Sequence, residues 1–175
     1  MTSIREGYEL LGVDTYYQQH ANDYCNPHFN TIAIMLKDYI SSHDIGEKIL
    51  DFCCGSGEVT KILNECGTYH IEGNDPYTFS LYSKNTGKPC HKYSFKDVVI
   101  GEMVNMHYDT IICSFAMHLC DMSMLDTLLY QLSLCTDNLI IISPHKRPEI
   151  NAWFELENSF ERDRVKMKVY RKITN

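Results

Sequence analysis

No stretch of this sequence approaches the roughly 20 consecutive apolar residues of a membrane-spanning helix, so no membrane partner is expected. The opening MTSIREGYEL holds no apolar run either, and a secretory signal is not expected. Although the chain has eight cysteines, none stand in the C-x-x-C spacing of a zinc ribbon, and no metal centre is expected. Repeats, low-complexity tracts and linkers are also lacking, so the 175 residues read as one domain.

What is present fits a soluble globular chain. Apolar residues make up 44% and charged residues 22%, which argues against disorder. A chain of this length buries enough core to need no staples, and Cys53-Cys54 are adjacent, a poor pattern for a disulfide framework. Reduced thiols in a cytoplasmic-type compartment are therefore expected. The net charge of -7 opposes a phosphate backbone on average. Against that average stand Lys146, Arg147 and the run Arg162, Arg164, Lys166 and Lys168.

Apolar runs alternate with amphipathic segments, the pattern of an α/β domain with a mostly parallel sheet. Ile32, Met35, Leu36, Tyr39 and Ile40 recur at helical spacing, with Pro27 near the first-turn position that proline favours. Strands are expected at Lys48–Cys53, Tyr69–Asn74, His91–Phe95, Tyr108–Ser114 and Asn138–Ser143, and helices at Glu58–Cys66 and Met122–Leu134. Val165, Met167 and Val169 alternate with Lys166, Lys168 and Tyr170, as in a half-buried antiparallel edge strand whose lysines discourage further pairing. Trp153–Phe160 is its hairpin partner or a short helix. The fold expected is thus a parallel core finishing in an antiparallel hairpin.

The segment Asp51-Phe52-Cys53-Cys54-Gly55-Ser56-Gly57 joins a strand to a helix. Glycines there let the backbone turn sharply and approach a ligand without a clashing Cβ. The helix that follows offers unpaired N–H groups, and in a doubly wound sheet this turn lies at the ligand-binding carboxyl edge. Asp75 ends the next strand about 20 residues on, where an acid grips ribose hydroxyls. A dinucleotide fingerprint would need a third glycine where Thr60 stands, which counts against a dehydrogenase.

ILDFCCGSG resembles the first motif of class I S-adenosylmethionine-dependent methyltransferases, IEGNDPY is similar to their second-strand acid motif, and YDTIICSFAMH to the segment ending their fourth strand. The resemblance covers roughly residues 49–142 and implies a Rossmann-like methyltransferase sandwich with S-adenosyl-L-methionine as cofactor. It divides the chain into an N-terminal lid or helix segment at 1–45, a cofactor-binding core at 46–150 and a C-terminal hairpin at 151–175. By the same resemblance Asp51, Cys53, Gly55, Ser56 and Gly57 form the methionine end. Asp75 and Pro76 hold the ribose, Asp97 meets the adenine amine, and Ser114 and Phe115 lie under the cofactor. Cys53 departs from the family, where glycine is commoner.

Residues following parallel strands gather at one edge. Tyr24, Asn26 and His28 should therefore meet Phe115 to His118 and the stiff Pro144–Pro148 loop. Three histidines then converge near the methyl group to be transferred. His118 and His145 are the candidate general bases, because imidazole titrates in the useful range. Lys146 and Arg147 are candidates to hold an anionic group of the acceptor, and Tyr16, Tyr17 and Tyr24 to form a lid. The segment SFAMH lacks the Asn/Asp-Pro-Pro-aromatic signature of nucleic-acid amino methylation. A small-molecule acceptor is accordingly favoured, with RNA or protein acceptors, and a non-catalytic methyltransferase-like binding subunit, as the alternatives. Neither the acceptor atom nor an oligomeric state follows from the sequence.

Overall fold

The computed structural model describes residues 26–174; Tyr16, Tyr17 and Tyr24, expected over the site, lie outside the described residues. The order of elements is helix α1 (Phe29–Ile40), strand β1 (Lys48–Phe52), α2 (Glu58–Cys66), β2 (His70–Asn74), α3 (Phe79–Thr86), β3 (Cys90–His91) and α4 (Phe95–Val99). Then come β4 (Thr110–Ser114), a short 3-10 turn (Met117–Leu119), α5 (Met122–Cys135), β5 (Asn138–Ser143), β6 (Phe154–Arg162) and β7 (Val165–Lys172).

The seven strands form one sheet in the order β3-β2-β1-β4-β5-β7-β6. The first five pair in parallel, and β7 runs antiparallel to both β5 and β6. The strand order reverses beside β1, which places a crevice at the carboxyl ends of β1 and β4. Three expectations are corrected here. The Val165–Lys172 strand is interior, because it inserts between β5 and β6, and Phe154–Arg162 is the edge. Its lysines therefore do not guard an edge, and Lys166 instead pairs with Glu161 across the hairpin at 3.3 Å. The third strand is also shorter than the expected His91–Phe95. After His91 the chain leaves the sheet, and Ser94 and Asp97 form a reciprocal capping box that starts α4. Pro27 precedes the helix cap His28 and so stands outside the first turn.

The parallel strands bury both faces, and alternation divides their side chains between two cores. Leu50, Phe52, Ile111, Cys113, Leu139 and Ile141 face α4 and α5 with Leu125, Leu128 and Leu132. Ile49, Ile112, Ile140 and Ile142 face α1 and α2 with Ile32, Leu36, Val59, Ile62 and Leu63. This double burial explains why the sequence of β5, NLIIIS, is apolar without alternation.

One glycine within a strand is required by packing. A Cβ on Gly73 in β2 would lie 2.7 Å from the ring of Tyr82 and 2.9 Å from Cys54 Sγ. Tyr82 is fully buried and cannot swing aside. Overpacking of this kind costs about 1–3 kcal/mol. Gly73→Ala is therefore expected to lower the urea midpoint by a corresponding amount with little change in slope, measured by equilibrium unfolding.

Candidate active site

A cavity of about 380 Å³ opens at the carboxyl ends of β1, β2 and β4, a size common for small-ligand sites. Of the residues expected around the cofactor, Cys53, Gly55, Asp75, Pro76, Ser114 and Phe115 line it. Ala116, expected near the site, lines it too, and Tyr77, Tyr93, Ser94, Phe95, Lys96, Leu119, Asp121 and Met124 complete the wall; sequence reasoning did not single the latter out. The Ser94-x-x-Asp97 spacing was the available signal for part of this group, since it marks a helix start beside the cavity.

The turn after β1 is held in an uncommon conformation. Cys53 has φ 58°, Gly55 φ 54° and Gly57 φ 93°, all in the left-handed region that favours glycine. Cys53 thus occupies a glycine-like backbone state, which accounts for glycine being commoner there, at a cost of roughly 1–2 kcal/mol. Opposite it, Phe115 has φ 57° as the chain leaves β4.

Asp75 faces this turn. Its Oδ1 accepts hydrogen bonds from the Tyr77 and Thr78 amides, each at 2.9 Å, and its Oδ2 accepts from the Gly55 amide at 3.4 Å. Burial raises its carboxyl above the usual range, opposed by those amide donors. Ser114 Oγ is buried in the cavity wall with no hydrogen-bond partner among the described residues. The site therefore contains a locked carboxylate and an unsatisfied hydroxyl, the latter a cost that a polar ligand would relieve.

Other expected site residues lie behind the wall. Asp51 is fully buried and accepts from Thr60 through both N–H (3.2 Å) and Oγ1 (2.8 Å), with Tyr82 Oη a further 2.8 Å from that hydroxyl. Burial pushes its carboxyl up to about 8. Ser56 donates to Glu58 at 2.8 Å, and Gly57 caps α2 where a Cβ would meet Thr86 at 2.5 Å. Asn26 folds over the start of α1, accepting from the His28 amide at 2.9 Å, and its own amide reaches Glu58 at 3.3 Å. Asp97 is turned into the capping box, its Oδ2 accepting from Ser94 N–H and Oγ at 2.8 and 2.7 Å. The cavity wall in that segment is Ser94-Phe95-Lys96. Asp121 lines the cavity, but its carboxylate caps α5 through Ser123.

The histidines gather in part as expected. His118 and His145 have ring centroids 4.3 Å apart, and His28 stacks on Phe115 at 5.2 Å. His118 sits in the 3-10 turn between Ala116 and Leu119, both of which line the cavity. Its Nδ1 is buried without a partner among the described residues. Burial first, and then the nearby His145, lower its pKa to about 4. His145, Lys146 and Arg147 are exposed. No cluster of three or more His, Cys, Asp or Glu residues suited to a metal occurs among the described residues.

No protein-family model matches the chain. An uncharacterized protein of Schizosaccharomyces pombe is 29% identical, over 85% of this chain and 77% of its own length. Among solved structures, an S-adenosylmethionine-dependent methyltransferase from Anabaena variabilis superposes with a TM-score of 0.66 at 11% identity, covering 99% of this chain and 96% of its own. The magnesium protoporphyrin IX methyltransferase of Synechocystis, solved with bound S-adenosylmethionine, gives 0.62 at 14% identity over 95% and 93%. The chain has the Rossmann-like fold of the class I S-adenosylmethionine-dependent methyltransferases.

His118 is expected to remain neutral down to about pH 4. Its folded pKa lies below the unfolded value near 6.5, so its neutral burial favours the fold above that value. The contribution is lost as pH falls from there toward 4. Histidine ring-proton NMR across pH 4–8 checks this, with His118→Asn for assignment; a His118 midpoint above pH 6 contradicts it.

Proposed function

We propose that this chain is an S-adenosylmethionine-dependent methyltransferase with a small-molecule acceptor favoured over RNA or protein. The observation that carries the reading is Asp75, a carboxylate held by three backbone amides at the wall of a cavity at the carboxyl edge. Acceptor-only and fixed in direction, such a group suits the paired hydroxyls of a ribose. Phe95, Leu119 and Met124 supply an apolar slot of the kind a purine fills. Ser114, at the end of β4, offers the amino-acid arm a hydroxyl that has no partner among the described residues. The residues present therefore fit the cofactor.

When bound, S-adenosylmethionine supplies a methyl group on a sulfonium, transferred by in-line displacement to a nucleophile. The chain's own contribution is to position the reactants and exclude water. Phe115, strained at φ 57° and stacked by His28, forms one wall of the cavity. An N–H or O–H acceptor must also release a proton. His118, neutral at physiological pH, takes that proton in this reading, and the exposed His145 passes it to water. Lys146 and Arg147, exposed on the loop after β5, hold an anionic group of the acceptor in this reading. The preference for a small acceptor is supported by the modest volume of the cavity, by the net charge of -7 and by the pairing of part of the basic run within the hairpin.

Titration calorimetry with S-adenosylhomocysteine tests the proposal. Wild type should bind, and Asp75→Asn, which keeps size but loses charge, should weaken binding roughly 10- to 100-fold, the worth of a hydrogen bond to a charged group. A folded Asp75→Asn variant with unchanged affinity, or a wild type that does not bind, would sink the reading.

A further inference from the structure

Two pairs of thiols flank the turn after β1, and one is placed for reversible oxidation. We infer that Cys54 and Cys90 form a disulfide under hydrogen peroxide and that this modification loosens the hold on Asp75; the second part rests on the cofactor reading above. Cys54 Sγ lies 3.5 Å from Cys90 Sγ, and both cysteines are free. Since a disulfide is about 2.05 Å long, the two sulfurs need to approach by only about 1.4 Å.

The contact is built by the fold rather than by strand pairing, because β2 separates β1 from β3. The chain leaving β1 folds over β2, where the Cys54 amide donates to the Asn74 carbonyl at 3.2 Å. Gly73, the register partner of Cys90, has no side chain to block the two sulfurs. Cys90 is partly exposed at the short β3 and gives an oxidant access, whereas Cys54 is buried. Cys53 and Cys113 also share a hydrogen bond, but Cys113 is wholly buried in the core.

The chemistry balances with peroxide as the oxidant. The Cys90 thiol attacks one peroxide oxygen, the O–O bond breaks, and a sulfenic acid and one water result. The Cys54 sulfur then attacks the sulfenyl sulfur; the S–S bond forms, the S–O bond breaks and a second water leaves. Two thiols and one peroxide thus give a disulfide and two waters. Burial, with the Cys90 thiol and the Asp51 carboxyl nearby, holds the Cys54 thiol well above its ordinary value. The second step should therefore accelerate as pH rises.

The bond would act on Asp75 from both sides. Gly55, next to Cys54, donates to Asp75 Oδ2, and His91, next to Cys90, accepts the Asp75 amide at 3.0 Å. Drawing Cys54 and Cys90 together shifts one of the three amide donors to the Asp75 carboxylate and the carbonyl that holds the Asp75 backbone.

The test treats the full chain with hydrogen peroxide, blocks the remaining thiols with N-ethylmaleimide and maps peptides by mass spectrometry. A Cys54–Cys90 cross-linked peptide is expected, two hydrogens lighter than its parts, reversed by dithiothreitol and absent from Cys90→Ser. The oxidised protein should bind S-adenosylhomocysteine roughly tenfold more weakly, as for one lost hydrogen bond to a charged group, and reduction should restore affinity. Oxidation of Cys90 to sulfinic acid without the cross-link, or a Cys53–Cys113 link in its place, overturns the disulfide. A Cys54–Cys90 link with unchanged affinity overturns the coupling to Asp75. Absence of binding by the reduced wild type defeats the cofactor reading instead, since the peptide map does not depend on it.

Discussion

The structure depends on how the chain reverses after β1. Within five residues Cys53, Gly55 and Gly57 all take positive φ, and this carries the backbone over β2 and into α2. A right-handed path would carry the chain on past the sheet edge. The left-handed one brings the Cys54 amide onto the Asn74 carbonyl and the Gly55 amide onto Asp75. The cavity, the fixing of its carboxylate and the neighbouring thiol pair all follow from that reversal.

Such a turn has to be supported from beneath, and the support is polar. Asp51, Thr60 and Tyr82 form a buried chain of hydrogen bonds linking β1, α2 and α3. With Asp51 raised to about 8, the group is predominantly neutral at pH 7, so the chain avoids burying an unpaired charge. Ser56, Glu58 and the Asn26 amide form a second cluster that ties the start of α1 to the start of α2. The acid and serine of the motif therefore hydrogen-bond beneath the turn, while the half-buried Gly55 and Asp75 line the cavity. A substitution at Asp51 and one at Asp75 act through different links: the first through the hydrogen bonds beneath the turn, the second at the wall of the cavity.

Much of this was legible in the sequence where one physical signal dominates. Helix α2 and strand β5 fall at the expected bounds because double burial and helical spacing leave a strong periodic mark. The end of β3 was not legible. Only two residues pair there, and a local capping box, formed by side chains three apart, overrides the extended tendency of the following residues. Asp97 was assigned to a ligand for the same reason: a carboxylate after a strand looks alike in sequence whether it faces a cavity or closes a helix. Alternation in β7 correctly marked one buried face, but it cannot tell which strands lie on either side. That depends on long-range insertion between β5 and β6.

The histidines show how burial changes a chemical assignment. Sequence alone offered His118 and His145 as equivalent bases, each near the middle of the physiological range. In the fold, His118 lies half-buried within the 3-10 turn, where burial lowers its pKa, while His145 is exposed. A base lowered to about 4 is a weak proton acceptor at equilibrium, yet it is always available in its unprotonated form. In the proposed reaction it serves an acceptor that gains positive charge as the new bond to carbon forms, because the bound proton then becomes more acidic. An acceptor that must be deprotonated before attack would need a stronger base than this environment provides.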